Sequence, residues 1–193
     1  MTDRIGRIVA DGYDRVADAY AALESPADPW PRMRRVRQFT AGLPDGSRLL
    51  DLGCGNGLPA TRELSERHTV TAVDISPEQA ARARSNAPRA KVLCADVRDL
   101  DLPNAGFDAI VALYLIDNVP AGEYPGLFRR LATWLRPGGR LLLSAEPAEP
   151  EEPGLHTWLG VPMPINGVPV ETLVASVEAA GLEVTNVELE EQR

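Results

Sequence analysis

The sequence predicts an α/β protein: an open, mostly parallel, doubly wound sheet with helices on both faces and two helices ahead of its first strand. Three observations predict it. Short apolar runs alternate with helical-period segments from Leu49 to Ser144, which calls for parallel pairing with right-handed crossovers. The first of these runs ends in a glycine-rich turn that opens a helix. A length of 193 residues supports one core and is short for two catalytic domains.

Each element has its own signal. Ile5, Ile8, Val9, Tyr13, Val16 and Tyr20 recur at helical spacing, and Trp30, Met33, Val36 and Thr40 do so again after a Pro-bearing break at Ser25 to Pro29. Leu49 to Leu52 reads as the first strand, running into Gly53, and Pro59 suits the first turn of a helix through Arg67. Thr69 to Asp74 is the second strand. Ser76-Pro77-Glu78-Gln79 is a capping-box pattern that starts a helix to about Asn86. Ala90 to Ala95 and Phe107 to Leu115 give the third and fourth strands. Tyr124 to Leu135 reads as a helix closed by Arg136-Pro137-Gly138-Gly139, and Arg140 to Ser144 as the fifth strand. Pro147, Pro150, Pro153, Pro162, Pro164 and Pro169 then predict a loop-rich flap without a regular ladder. Val170 to Ala180 returns to helical spacing, and Leu182 to Leu189 alternates as a strand.

Composition narrows the function. Lys and Arg number 20 against 28 Asp and Glu, a net charge of −8 that repels polyphosphates and leaves no footprint for nucleic acid. Cys54 and Cys94 are far apart and form neither a disulfide framework nor a metal cluster. No stretch has membrane-spanning length, and no apolar run follows a basic start. The expectation is a cytoplasmic protein with a small-molecule partner.

In sheets of this kind ligands bind outside the carboxyl ends of the strands. The strongest signal there is Asp51-Leu52-Gly53-Cys54-Gly55-Asn56-Gly57, a strand ending in G-x-G-x-G. Its glycines permit positive φ and close backbone approach to a ligand, and the next helix offers its N-terminal dipole. The third glycine falls one residue short of the dinucleotide fingerprint. Asp51 would crowd a pyrophosphate but suits an ammonium group, which argues against a nicotinamide enzyme. Asp74 ends the second strand, 21 residues after Gly53, where a carboxylate can accept from both ribose hydroxyls. Cys94-Ala95-Asp96-Val97 offers a carboxylate for an adenine amino group and a backbone N–H for the ring.

With these pieces in place the sequence resembles the class I S-adenosylmethionine-dependent methyltransferases, particularly small bacterial members with two helices ahead of the core. The resemblance rests on LLDLGCGNG at Leu49 to Gly57, VTAVDISPEQ at Val70 to Gln79, CADVRDLDLP at Cys94 to Pro103, FDAIVALYLI at Phe107 to Ile116 and LRPGGRLLLS at Leu135 to Ser144. It implies a Rossmann-like methyltransferase fold with S-adenosylmethionine as cofactor. Gly53, Gly55 and Gly57 would line the methionine moiety, Asp74 with Ile75 would hold the ribose, and Asp96 and Val97 the adenine. Leu113 would face the cofactor, and Tyr13 to Tyr20 would lie over it. The single domain would then comprise a helical lid (1–44), a cofactor-binding core (45–146), a Pro-rich flap (147–168) and a last helix and strand (169–193). The family's sheet ends with a seventh, antiparallel strand between the fifth and sixth, and no sequence here supplies it. Glu188, Glu190, Glu191 and Gln192 read as the polar start of a turn in a chain that continues. Many relatives also carry a histidine near the position of Asp117-Asn118.

Methyl transfer from a sulfonium is an in-line displacement that chiefly needs alignment and no metal. For an oxygen or nitrogen acceptor a base must take a proton, and His156, Asp117, Glu146, Tyr20 and Tyr114 are the candidates. His156 sits two residues from Trp158 in the flap, where a surface position is its alternative. His68 reads as structural, and Arg32, Arg34, Arg35 and Arg37 as a solvated helix face. The competing function is a non-catalytic protein that binds S-adenosylmethionine or S-adenosylhomocysteine for sensing or assembly.

Overall fold

The structure is a computed structural model that describes residues 4–23, 31–146, 155–164 and 168–189. The break at Ser25 to Pro29, Trp30, Pro147, Pro150, Pro153 and residues 190–193 lie outside the described residues. Two helices, α1 (Arg4–Leu23) and α2 (Pro31–Thr40), precede β1 (Arg48–Leu52). There follow α3 (Ala60–Arg67), β2 (Thr69–Asp74), α4 (Pro77–Asn86), β3 (Lys91–Cys94) and β4 (Phe107–Leu113), then α5 (Tyr124–Trp134) and β5 (Leu135–Ser144). A hairpin of β6 (Leu155–Trp158) and β7 (Val161–Pro164) leads to α6 (Val170–Glu178). The main sheet has the order β3-β2-β1-β4-β5 with every pair parallel. Its order reverses between β1 and β4, which puts a crevice at the strand ends that carry the glycine turn.

Strand alternation divides the core in two. Leu50, Leu52, Ile110 and Ala112 face Phe128, Leu131 and Trp134 of α5 and Val177 of α6. Leu49, Val70, Ala72, Ala109 and Val111 face Met33 and Val36 of α2 and Leu64 of α3. Both faces are apolar, as a parallel sheet covered on two sides requires.

The sequence-based expectations fail in three places. First, β5 begins at Leu135, paired with Phe107, and then bulges so that Arg140 pairs with Ala109. Pro137 has no N–H to give, so the Pro-Gly-Gly stretch is expelled from the ladder instead of ending it. Second, the Pro-rich segment does hold a regular ladder. Leu159 and Gly160, both at positive φ, form a two-residue turn between Trp158 and Val161. In such a hairpin the hydrogen-bonded pairs are Trp158–Val161 and His156–Met163, so Pro162 and Pro164 fall at positions that need no donor. Third, residues 182–189 form no strand. Leu182 and Val184 pack against the core, while Val187 and Leu189 are exposed. Alternation records which side chains turn inward, but a ladder also needs a neighbouring edge. Among the described residues β5 pairs with β4 alone.

Candidate functional site

The glycine turn closes on β2. Gly53 and Cys54 donate their N–H groups to the Val73 carbonyl at 2.8 and 3.0 Å, and Gly53, Gly55 and Gly57 all hold positive φ. Asp74, buried at the end of β2, accepts the Gly55 N–H at 2.8 Å through Oδ2 and the Ser76 N–H at 2.9 Å through Oδ1. One carboxylate thus shapes the turn and the start of α4 together. The Ser76 hydroxyl caps that helix by accepting from Gln79 N at 3.0 Å. The reciprocal half of the capping box is not made. Asp74 has taken the Ser76 N–H, and the buried Gln79 amide has no protein partner.

A cavity opens at these strand ends. Gly53, Asp74, Ile75, Asp96 and Val97 form its wall together with Arg98, Leu115 and Asn118, and Gly6 and Val9 of α1 roof it. Five of the expected residues are therefore brought together. Tyr20 lies over the turn, where a Cβ at Gly55 would come within 3.6 Å of its ring. Tyr20, Tyr13 and Trp158 form a ring cluster with centroids 5.5 to 6.1 Å apart, which joins α1 to the hairpin. The hairpin docks because Gly12 leaves room on α1 for the Met163 thioether; a Cβ there would overlap Sδ. His156 pairs with Met163 in register and shares the inward hairpin face with Trp158.

Five expected residues do not line this cavity: Gly55 and Tyr20 meet at the turn beside it, and Asp51, Leu113 and Gly57 point elsewhere. Asp51 follows Leu50 by one residue, so its side chain turns to the other sheet face, where its carboxylate accepts the Thr61 hydroxyl of α3 at 2.6 Å. Leu113 has the parity of Ala109 and Val111 and packs with them; Leu115, beyond the strand, lies against Gly53 instead. Gly57 faces α4, where a Cβ would stand 3.0 Å from the Ala83 Cα, so its absent side chain serves helix packing. The sequence reading put Tyr13 over the cofactor, but it did not give Arg98 or Asn118 a place at the site. Asn118 Nδ2 donates to the Tyr13 hydroxyl at 3.3 Å, while its buried Oδ1, in the cavity wall residue, has no protein partner.

Burial governs the electrostatics. It pushes the Asp74 carboxyl up to about 6 against the stabilising backbone amides of Ser76, Gly55 and Ile75, with Asp14 raising it further. It pushes Asp51 up to about 6, with Thr61 opposing and Asp74 adding. Asp117, in the short turn Ile116–Asn118 after β4, is pushed up to about 7, although it accepts the Glu146 N–H at 3.1 Å. Burial also raises the Tyr13 hydroxyl, helped by Tyr20. These strand ends are rich in acids short of counter-charge, an environment suited to a cation and to hydroxyl donors. Tyr114 holds positive φ just after β4, where its N–H donates to the Ser144 carbonyl and hydroxyl at 3.1 and 3.0 Å; such strain outside glycine gathers at functional sites.

The remaining candidates fall outside. His68 is buried beneath the start of β2 with Nδ1 lacking a protein partner. Arg37 makes a two-pronged pair with Glu63 at 2.6 and 2.7 Å, and Arg35 pairs with Glu188. Among the described residues no helix is long and apolar enough to cross a membrane.

Comparison with known proteins agrees with this geometry. The family described as a methyltransferase domain matches residues 49–139. The chain is 39% identical over 177 residues to a 27-O-demethylrifamycin SV methyltransferase of Amycolatopsis mediterranei (strain S699), covering 81% of this chain and 64% of that protein. It is 32% identical over 142 residues to a ubiquinone biosynthesis O-methyltransferase of Xanthomonas axonopodis pv. citri (strain 306), covering 69% and 59%. The chain thus spans less than two thirds of the length of either relative. The solved structure of a DhpI–SAH complex superposes with a TM-score of 0.76 at 21% identity, over 93% of this chain and 89% of that one, and shows the shared fold.

Proposed function

This chain belongs to the class I S-adenosylmethionine-dependent methyltransferase family, and from that premise we propose that it methylates an oxygen or nitrogen of a small molecule in the cytoplasm. The observation that carries the reading is the junction of the G-x-G-x-G turn with Asp74 beside a cavity walled by Asp96 and Val97. The residues fit the cofactor. Asp74 keeps lone pairs for ribose hydroxyls, Asn118 Oδ1 is an acceptor without a protein partner, and the acids suit a sulfonium and an ammonium group.

In this reading Asp74 and Ile75 hold the ribose, Asp96 and Val97 the adenine, and Gly53, Gly55 and Leu115 the methionine side, with Tyr20 above. Asp51 acts from behind the turn, through charge. The cofactor supplies an electrophilic methyl group on a positively charged sulfur. The protein's work is to align the acceptor, exclude water with α1 and the hairpin, and take a proton. The acceptor lies beside the Tyr13, Tyr20 and Trp158 rings, which shield the end of the site. Oxygen is favoured as the methylated atom by the O-methyltransferase names of the relatives. Asp117 is the proposed proton acceptor, because it stands next to Asn118 of the cavity wall in the turn after β4 and burial pushes its carboxyl up to about 7; His156, on the hairpin, is the competitor.

The test is S-adenosylhomocysteine formation over a panel of phenols, alcohols and amines, with binding of S-adenosylhomocysteine measured separately by calorimetry. Asp117→Asn should lower kcat about 10²-fold and abolish the acidic limb of the pH profile, whereas His156→Gln should leave that limb in place. Binding without turnover on any acceptor would favour a non-catalytic role.

A further inference from the structure

The adenine end of the cavity is closed by a charge network that no motif spacing announces. Asp96 caps the short turn Val97–Asp99, and Arg98 encloses its carboxylate. Oδ1 accepts the Arg98 backbone N–H at 2.9 Å and Nε at 3.0 Å, and Oδ2 accepts Nη2 at 2.7 Å. Arg98 Nη1 reaches Glu123 at 3.1 Å. The side chains of Arg98 and Asp96 are 14% and 4% exposed, so water screens the pair little. From behind, the Arg130 guanidinium donates to the carbonyls of Val97, Arg98 and Leu100 and fixes the turn.

A carboxylate offers about four lone-pair sites. Arg98 occupies about three of them, and Asp96 faces the cavity that Arg98 also lines. We propose that Arg98 is a positioning residue that sets nucleobase selectivity: it holds Asp96 as a fixed, acceptor-only group with room for one donor, the exocyclic amino group of a 6-aminopurine. A 6-oxopurine would set its carbonyl oxygen against that carboxylate, two acceptors with no proton between them. Without the guanidinium the carboxyl is free to turn away, and an oxo group no longer faces a fixed acceptor. The proposal rests on the adenosyl reading of the cavity.

The experiment compares S-adenosylhomocysteine with S-inosylhomocysteine, its 6-oxo counterpart, by calorimetry on the wild-type chain, Arg98→Met and Arg98→Lys. The wild type should prefer the amino form by about 30-fold or more. Arg98→Met should shrink that ratio below about threefold, and Arg98→Lys should fall between. An Arg98→Met ratio equal to the wild-type value, or a wild type with no preference, overturns the proposal while leaving the cofactor assignment intact. A wild type that binds neither ligand overturns the adenosyl reading and this inference with it. Should Arg98→Met fail to fold, Glu123→Gln, which loosens the far end of the guanidinium, should narrow the ratio severalfold, and an unchanged ratio is equally fatal.

Discussion

Asp14 of α1 accepts the hydroxyl proton of Ser76, the cap of α4, at 2.5 Å and the Glu78 N–H at 3.0 Å. One turn on, Asp18 pairs with Arg82 at 2.7 Å. The helix that roofs the cavity is thereby tied to the helix that follows Asp74. Asp14→Ala should cost about 1–2 kcal/mol in urea unfolding and weaken S-adenosylhomocysteine binding severalfold by loosening Gly6 and Val9. Unchanged stability and affinity together would show that the tie is idle.

Asp74→Ala removes the proposed ribose acceptor and the partner of two backbone amides at once. Affinity for S-adenosylhomocysteine should fall about ten- to a hundredfold, and the ligand-free melting temperature should fall as well, since the Gly55 and Ser76 amides lose their partner. Calorimetry showing wild-type affinity would remove Asp74 from the site.

The buried acids make both stability and binding depend on pH. Asp51 and Asp74 are pushed up to about 6 and Asp117 to about 7, against about 4 in an unfolded chain. Between about pH 4 and 7 the folded state therefore holds more protons than the unfolded one, so stability falls as pH rises through that window and levels off above it. A bound cation or hydroxyl donor favours the ionised carboxylates, so cofactor binding should release protons and tighten over the same window. Calorimetry at pH 6 in two buffers of different ionisation heat should detect that release, and it should fade by pH 8.5. Asp117→Asn should flatten the upper part of the stability slope.

Gly55 and Gly57 should separate binding from packing. At Gly57 a Cβ meets the Ala83 Cα at 3.0 Å with φ at +81°, so Gly57→Ala should cost about 2–3 kcal/mol of stability. At Gly55 the nearest atom is the Tyr20 ring at 3.6 Å. Gly55→Ala should cost about 1 kcal/mol yet lose most cofactor affinity. Equal losses of stability in urea titration would show that both glycines serve packing alone.

Leu115, not Leu113, touches Gly53 at the cavity. Leu115→Ala should weaken S-adenosylhomocysteine binding about fivefold or more with a small loss of stability, and Leu113→Ala should do the reverse, since it packs with the α2 and α3 face. Matching affinities in the two variants would contradict the placement.

The sequence by itself determined the β1-to-α4 unit, because its signals are local. Gly53 and Gly55 permit a turn that other residues resist, Ser76 caps α4 through its own hydroxyl, and Asp74 ends a strand of clear apolar pattern. The tertiary structure alone decided the phase of the alternation. Asp51 and Leu113 read as site residues because they stand at strand ends, yet a period of two has two faces, and nothing in a single strand says which one meets the cavity. It also decided the partners of Arg98, since local spacing cannot show that Glu123 and Arg130 converge on the same turn. The roof belongs to tertiary structure for the same reason. Tyr13 and Trp158 stand far apart in the sequence and meet only because Gly12 admits Met163 and lets the hairpin settle on α1; such long-range packing leaves no periodic trace in either segment.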